Sequence, residues 1–274
     1  MRNFPKTSKR STALLRVAIM AVALNWSAGA AAKDETIEPE PRPAPSATPS
    51  KFNFAYGLSF TTDYVSRGIT QTGSDPAVQG YIEPSYGDFY ANLWSSNVDF
   101  GGGFDGAEID VAAGYRPEIG KLSLNVGWVH YFYAPKDTSP AYGEIFTKAD
   151  YKLNDKITLA GRMFFAPDFS QTGHTATFIA GGAKVQLGHG FAAYGGIGYQ
   201  FFEDDAAFED LAWTAGLSYN WKVVTLDVRY WETDLADNEC VVRSGFADGC
   251  DARVVGTISF DLTRDSLSEL FGRH

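Results

Sequence analysis

Cysteine is nearly absent from these 274 residues: Cys240 and Cys250 are the only two, and they share one polar segment near the end of the chain. So little thiolate leaves no basis for a sulfur-ligated metal centre. The four histidines (His130, His174, His189, His274) are scattered without ligand spacing. Neither a metal site nor a cofactor is expected. Positive charge is also scarce, with 23 Lys and Arg against 33 Asp and Glu and a formal net charge of −10. That balance argues against a nucleic-acid partner, whose phosphates call for Lys and Arg. After the N-terminal leader no apolar run approaches the roughly 20 residues of a membrane-crossing helix. Barrel strands are not excluded by this, because they need only about 9–11 residues and are half polar. No Gly-x-Ser-x-Gly nucleophile turn and no glycine-rich phosphate loop in a strand–helix setting is present. His130 is flanked on its own face by Trp128 and Phe132 rather than by a serine, so no catalytic residue is assigned.

The N-terminus carries Arg2, Lys6, Lys9, Arg10 and Arg16, then a short apolar run from Val17 to Trp26, then Ala28-Gly29-Ala30-Ala31-Ala32. This order reads as a signal peptide over 1–32 for Sec export, cut after Ala32 or after Ala30. Removing those five cations and no acid moves the net charge from −10 to −15. Residues 33–50 alternate Pro39, Pro41, Pro43, Pro45 and Pro49 with acids and small residues, which predicts a disordered, extended tether in the periplasm. In an exported chain Cys240 and Cys250 are expected to close a short disulfide loop.

From Phe52 the chain alternates. Phe52, Phe54, Tyr56, Leu58, Phe60, Thr62 and Tyr64 share one phase; Asn53, Ala55, Gly57, Ser59, Thr61 and Asp63 share the other. Successive side chains on a strand point to opposite faces, so one face is greasy and the other small or polar. About twelve such segments follow one another to Leu262, the weakest at 77–86, where Pro84 intervenes, and at 89–98. Short links at 85–88, 117–120, 154–155, 188–190 and 220–222 alternate with longer ones at 65–76, 99–106, 134–141, 167–174, 203–209 and 234–252. Short periplasmic turns and long outer loops are the habit of bacterial outer-membrane barrels. The prediction is therefore an all-β fold, a transmembrane antiparallel β-barrel of about twelve strands over 51–263, with both termini periplasmic and a tail at 264–274. Aromatics fall outward near the short turns (Phe54, Tyr86, Tyr115, Tyr151, Phe191, Tyr219) and near the long loops (Tyr64, Phe132, Phe165, Tyr199, Trp213, Tyr230), as two interfacial girdles would require. A soluble β-sandwich, which alternation alone does not exclude, would turn those rings inward.

Asp63-Tyr64-Val65-Ser66-Arg67-Gly68-Ile69-Thr70-Gln71-Thr72, then Pro76 to Gly80, Asn97-Val98-Asp99, Glu108-Ile109-Asp110, Tyr131 to Pro135 and Tyr142-Gly143-Glu144 resemble the TorF family of proteobacterial porins. The resemblance covers most of 52–262 and implies an outer-membrane barrel, saying little about what crosses it. The tether is longer than that family's usual start. Similar barrels often finish on an aromatic, whereas here Phe260 and Phe271 both stand short of the end.

The inward phase carries charge of both signs: Asp63, Glu83, Glu108, Asp110, Glu144, Asp150, Asp227 and Asp261 against Arg116, Lys121, Lys148, Lys152, Arg162, Lys184, Arg229 and Arg253. Buried charge is costly without water or a partner. Two readings stand. Glu108 and Asp110 could face Lys148, Arg162 and Lys184 as opposed walls whose field selects solutes, or the charges could simply pair and plug the lumen. Arg67 likewise could fold inward and constrict the lumen, with Gly68 permitting the turn, or pair with acids of its own surface loop. The candidate lumen residues are thus Asp63, Arg67, Glu108, Asp110, Lys148, Arg162, Lys184 and Arg229. The acidic loops contain no EF-hand arrangement. The expected function is passive diffusion of small hydrophilic solutes across the outer membrane of a Gram-negative bacterium. Its partners would be lipid, the solutes and the barrel-assembly machinery. A non-transporting anchor, receptor or envelope organiser is the alternative.

Overall fold

The computed structural model describes residues 52–135, 139–203 and 207–263. The expected signal peptide, tether and C-terminal tail, with Phe271, lie outside the described residues. The strands are β1 Phe52–Thr61, β2 Val65–Ser66, β3 Ile69–Thr70, β4 Ala77–Tyr86, β5 Phe89–Asp99, β6 Asp105–Tyr115, β7 Glu118–Ile119, β8 Leu122–Ala134, β9 Tyr142–Lys152, β10 Ile157–Ala166, β11 Ala176–Gly188, β12 Phe191–Phe202, β13 Asp210–Trp221, β14 Val224–Thr233 and β15 Arg253–Thr263. A helix, α1, spans Asp237–Ser244 in the last long loop.

Twelve of these strands form a ring. Each pairs antiparallel with the next in sequence, β6 joins β8 directly, and β15 returns to β1 through pairs such as Gly57 with Asp261 and Phe60 with Ile258. β7 is a small hairpin on the start of β8, and β2 and β3 form a separate two-stranded ribbon. Closure pairs the ladder all the way round and leaves no edge, which is what a sheet in lipid must achieve.

The alternation seen in the sequence is the alternation of the wall. Along β1, Phe52, Phe54, Leu58 and Phe60 are exposed while Ala55, Ser59 and Thr61 are buried. Val78, Leu93, Val111, Val126, Ile145, Leu159, Ile179, Ile197, Leu217, Val228 and Val254 continue the exposed belt around the ring. A continuous apolar surface of this extent is an aggregation hazard in water and the required surface in lipid. The sandwich arrangement, with the large apolar residues turned inward, is not what forms.

Two local features depart from the simple alternation. Tyr64, expected in the outer aromatic girdle, is buried and packs edge-on against Trp94 at a centroid distance of 5.4 Å. β1 stops at Thr61 and the chain bends inward, so the phase that placed Tyr64 outside no longer applies. Pro84 does sit in a strand, opposite Phe54 of β1, but the β4–β5 ladder skips from Ile82–Leu93 to Ser85–Tyr90 at that point. Proline offers no N–H to the ladder and is accommodated where pairing lapses.

On the inner face the Tyr194 ring lies against the neighbouring strand. Gly216 faces Tyr194 in register, and a Cβ on Gly216 would meet the Tyr194 hydroxyl oxygen at 2.3 Å. Only glycine leaves room for the ring to lie flat there.

Candidate functional site

The long link between β1 and β4 does not stay outside. It descends into the lumen as the β2–β3 ribbon, in which Val65 pairs with Thr70 and Ser66 with Ile69. Arg67 and Gly68 form the tip, with φ of 48° and 86°. Two successive left-handed residues make the tight I′-type hairpin turn. Gly68 is also fixed by space, since a Cβ would come within 2.4 Å of Thr233 Cγ2 on β14. Asp63 knots the base of the ribbon: its Oδ1 accepts from the hydroxyls of Thr70 (2.6 Å) and Thr72 (3.0 Å), and its Oδ2 accepts from Arg253 Nη1 (2.7 Å). Gln71 N–H donates to Tyr64 O, and Asp99 N–H donates to Gln71 O. The Asp63-to-Thr72 motif therefore encodes a self-bonded ribbon.

Arg67 is 4% exposed. Its Nη2 meets Glu144 Oε2 at 2.8 Å, and its Nη1 donates to Gln200 Oε1 at 2.7 Å. The Tyr131 hydroxyl donates to the same Glu144 oxygen at 2.8 Å. The guanidinium carbon stands 4.7 Å from the Phe178 ring centroid and 5.1 Å from that of Phe164. Salt bridge, amide and ring faces together compensate a cation withdrawn from bulk water. Tyr131 enters the sequence reading only through the family resemblance, and Gln200 does not enter it. Both lie on inward phases, but nothing local says that a loop arginine would reach them.

The other candidates are placed as follows. Glu108 and Asp110 are buried neighbours on the inner face of β6, and the Tyr133 hydroxyl approaches Glu108 at 3.5 Å. Lys148 is buried on β9, its Nζ 5.2 Å and 5.5 Å from the Phe146 and Phe164 centroids. Arg162 on β10 pairs with Asp150 at 2.8 Å and donates to Gly161 O and Ala149 O. Lys184 is half-buried on β11, in register between Thr158 and Tyr194. Arg229 pairs with Asp227 at 3.3 Å, donates to the Tyr194 hydroxyl at 2.9 Å and stacks on that ring at 4.8 Å. Arg116 pairs with Glu83 and stacks on Tyr90 at 3.9 Å. Lys121 sits just before β8, its amine on Leu153 O.

The ring order sets the relation between the two signs of charge. β6 is separated from β9 by β8 alone, so Glu108 and Asp110 lie close to Lys148 along the wall, whereas Arg162 on β10 and Lys184 on β11 stand three and four strand positions round the ring from them. Arg162–Asp150 joins adjacent strands and Arg229–Asp227 lies within one, whereas Arg116–Glu83 reaches past β5 and Arg67–Glu144 ties the inserted ribbon to β9. At the long-loop half, Arg67, Glu144, Tyr131, Phe164, Phe178 and Gln200 fill the interior; at the short-link half, Arg116 and Arg229 retain partial exposure.

Cys240 and Cys250 are bonded. Cys240 lies on α1, and both sulfurs are buried beside Ile69 and Leu235. Among the described residues no three His, Cys, Asp or Glu side chains form a metal-holding group. His130 lies on the outer face, flanked by the Trp128 and Phe132 rings.

A family model described as "Bacterial protein of unknown function (Gcw_chp)" matches residues 45–261. That match does not reach the narrower TorF label. No curated protein matches the sequence. Among solved structures, one described as KdgM porin aligns with TM-score 0.50 and 11% identity, covering 76% of this chain and 98% of that one. One described as a NanC porin aligns with TM-score 0.47 and 12% identity, covering 77% and 98%. An outer membrane channel from Pseudomonas putida F1 aligns with TM-score 0.43 and 13% identity, covering 82% and 100%. At this identity the KdgM likeness speaks to the fold, a twelve-stranded antiparallel barrel.

Proposed function

We propose that this chain, which belongs to the Gcw_chp family, is an outer-membrane channel for passive diffusion of small hydrophilic or charged solutes. The observation that carries this reading is the barrel itself: a closed ring, apolar on the whole of its outer belt, with ionised side chains on the inside. The KdgM-like fold and the sequence resemblance to TorF porins support the same reading. Export by the 1–32 leader, assembly by the barrel machinery and periplasmic placement of the tether and both termini belong to this proposal. Arg67 with Glu144 is then the constriction, and Lys148, Arg162, Lys184, Arg229, Glu108 and Asp110 line the approach.

The test is single-channel recording of refolded residues 33–274 in a planar bilayer, with reversal potential under a salt gradient. Stable open steps establish a pore. A folded, heat-modifiable barrel without conductance would falsify it and leave the second reading, a non-transporting anchor or receptor. The dense filling around Arg67 at the long-loop half is the specific observation in favour of that second reading.

A further inference from the structure

The inward ribbon is held from above as well as from the wall. The last long loop, 234–252, folds over it. Thr70 N–H donates to Gly249 O at 2.9 Å, and the Phe246 ring covers Gly73, where a Cβ would lie 2.7 Å from the ring. Ile69, the residue after the Arg67-Gly68 tip, is buried in a small apolar cluster with Cys240, Cys250 and Leu235. The disulfide thus packs directly on the ribbon next to its tip. The loop is itself anchored at both ends. Arg243 of α1 pairs with buried Asp210 at 2.6 Å and stacks on Phe202 at 4.7 Å. Arg253 bonds Asp63 and the Ser74 hydroxyl at the base of the ribbon, and reaches Asp248 O within its own loop.

From this geometry we infer that the disulfide-closed loop is a latch, and that Cys240, Cys250 and Ile69 are the residues that hold Arg67 in the lumen. The cross-link ties α1, fixed to β13, to the segment that carries Gly249 over Thr70. Cutting that tie lets residues 245–252 rise away from α1, and Ile69 loses its apolar cover. The ribbon then depends on Arg67's own contacts with Glu144 and Gln200, and its opening becomes a local event rather than one coupled to the loop above. As regulation of the constriction this rests on the channel reading; as a statement about where the loop sits it does not.

Trypsin supplies the test, because the Arg67–Gly68 bond is cleavable only when the ribbon leaves the lumen. Folded barrels in lipid vesicles are digested and the products weighed, for the wild type, Cys240→Ser/Cys250→Ser and Ile69→Ala. Ile69→Ala keeps the cross-link and removes only its contact, so it decides the matter if the double serine variant does not fold. Heat-modifiability confirms that each barrel is intact. Cleavage after Arg67 should accelerate about tenfold or more in the variants, as expected when a local opening becomes easier by one decade. Unchanged cleavage at Arg67 in folded variants overturns the latch. Conductance recorded on the same samples separates the two ideas. Faster cleavage with larger or noisier open steps supports latch and channel together, whereas faster cleavage with no conductance in any form keeps the latch and removes the channel.

Discussion

At the scale of the residue, Arg67 has the most at stake. Its side chain and that of Glu144 are 5% and 1% exposed, so neither charge has water to fall back on. Replacing one partner leaves the other ionised in a low-dielectric interior, which typically costs about 3–5 kcal/mol. Arg67→Ala should therefore lower the unfolding free energy of the barrel by an amount of that order in a denaturant titration in detergent. Arg67→Ala/Glu144→Gln should recover a good part of the loss, since no bare carboxylate remains. Equal destabilisation in the single and double variants would show that the pair is not what stabilises the ribbon. Arg162 tests the electrostatics of the wall in the same way. It bonds Asp150 and Ala149 O on the adjacent strand and Gly161 O beside it, so Arg162→Ala should shift reversal potential less than Arg67→Ala does. A larger shift at Arg162 would favour opposed charged walls.

At the scale of the element, the strands carry two demands at once, an apolar side for lipid and an inner side that must fit its neighbours. The pairing of Gly216 with the flat Tyr194 ring shows how the second demand is met. A methyl group at 216 must push the ring toward the lumen or strain the β12–β13 ladder, and overpacking of this kind costs about 1–3 kcal/mol. Gly216→Ala should be destabilised by that amount in the same titration. Adding Tyr194→Ala should remove the clash, so the double variant should lie closer to wild type than the two single costs added together. Strict additivity would show that the ring and the glycine are independent. The β1–β4 link illustrates the limit of strand periodicity. Tyr64 is on the apolar phase by count and yet buried, because the chain leaves the sheet after Thr61 and period two holds only within a strand.

At the scale of the whole molecule, the medium is the issue. The exposed belt has no counterpart inside the barrel, so its energetics are those of transfer into lipid. Ile197 lies near the middle of β12 on the outer face and is more than half exposed. Ile197→Arg should cost about 2–4 kcal/mol on folding into bilayers, the usual figure for a cation at the midplane. The penalty should shrink in a detergent that lets water reach the site. A negligible cost in thick bilayers would place this face away from lipid.

Alternation, link lengths and twelve segments were legible in the sequence because they are local: a strand's two faces are written in its own residues, and so are the short polar or glycine-bearing turns between them. The lumen candidates on the strands were read from the inward phase, whereas Arg67 belongs to a loop and to no phase. The register that brings Arg162 to Asp150, and Glu144 within reach of a loop 77 residues away in the chain, was not, because partners across a barrel depend on closure and stagger. The two cysteines suggested a small loop; that their bond would lie on Ile69 follows from two loops meeting over one mouth. By itself, then, the sequence determined which residues within the strands face outward and which face inward, since that choice is made residue by residue against the surrounding medium. Only the tertiary structure decided that the first loop enters the lumen and that Arg67 ends there. That outcome depends on a buried carboxylate, an amide and two rings supplied by four different strands, whose meeting no local pattern specifies.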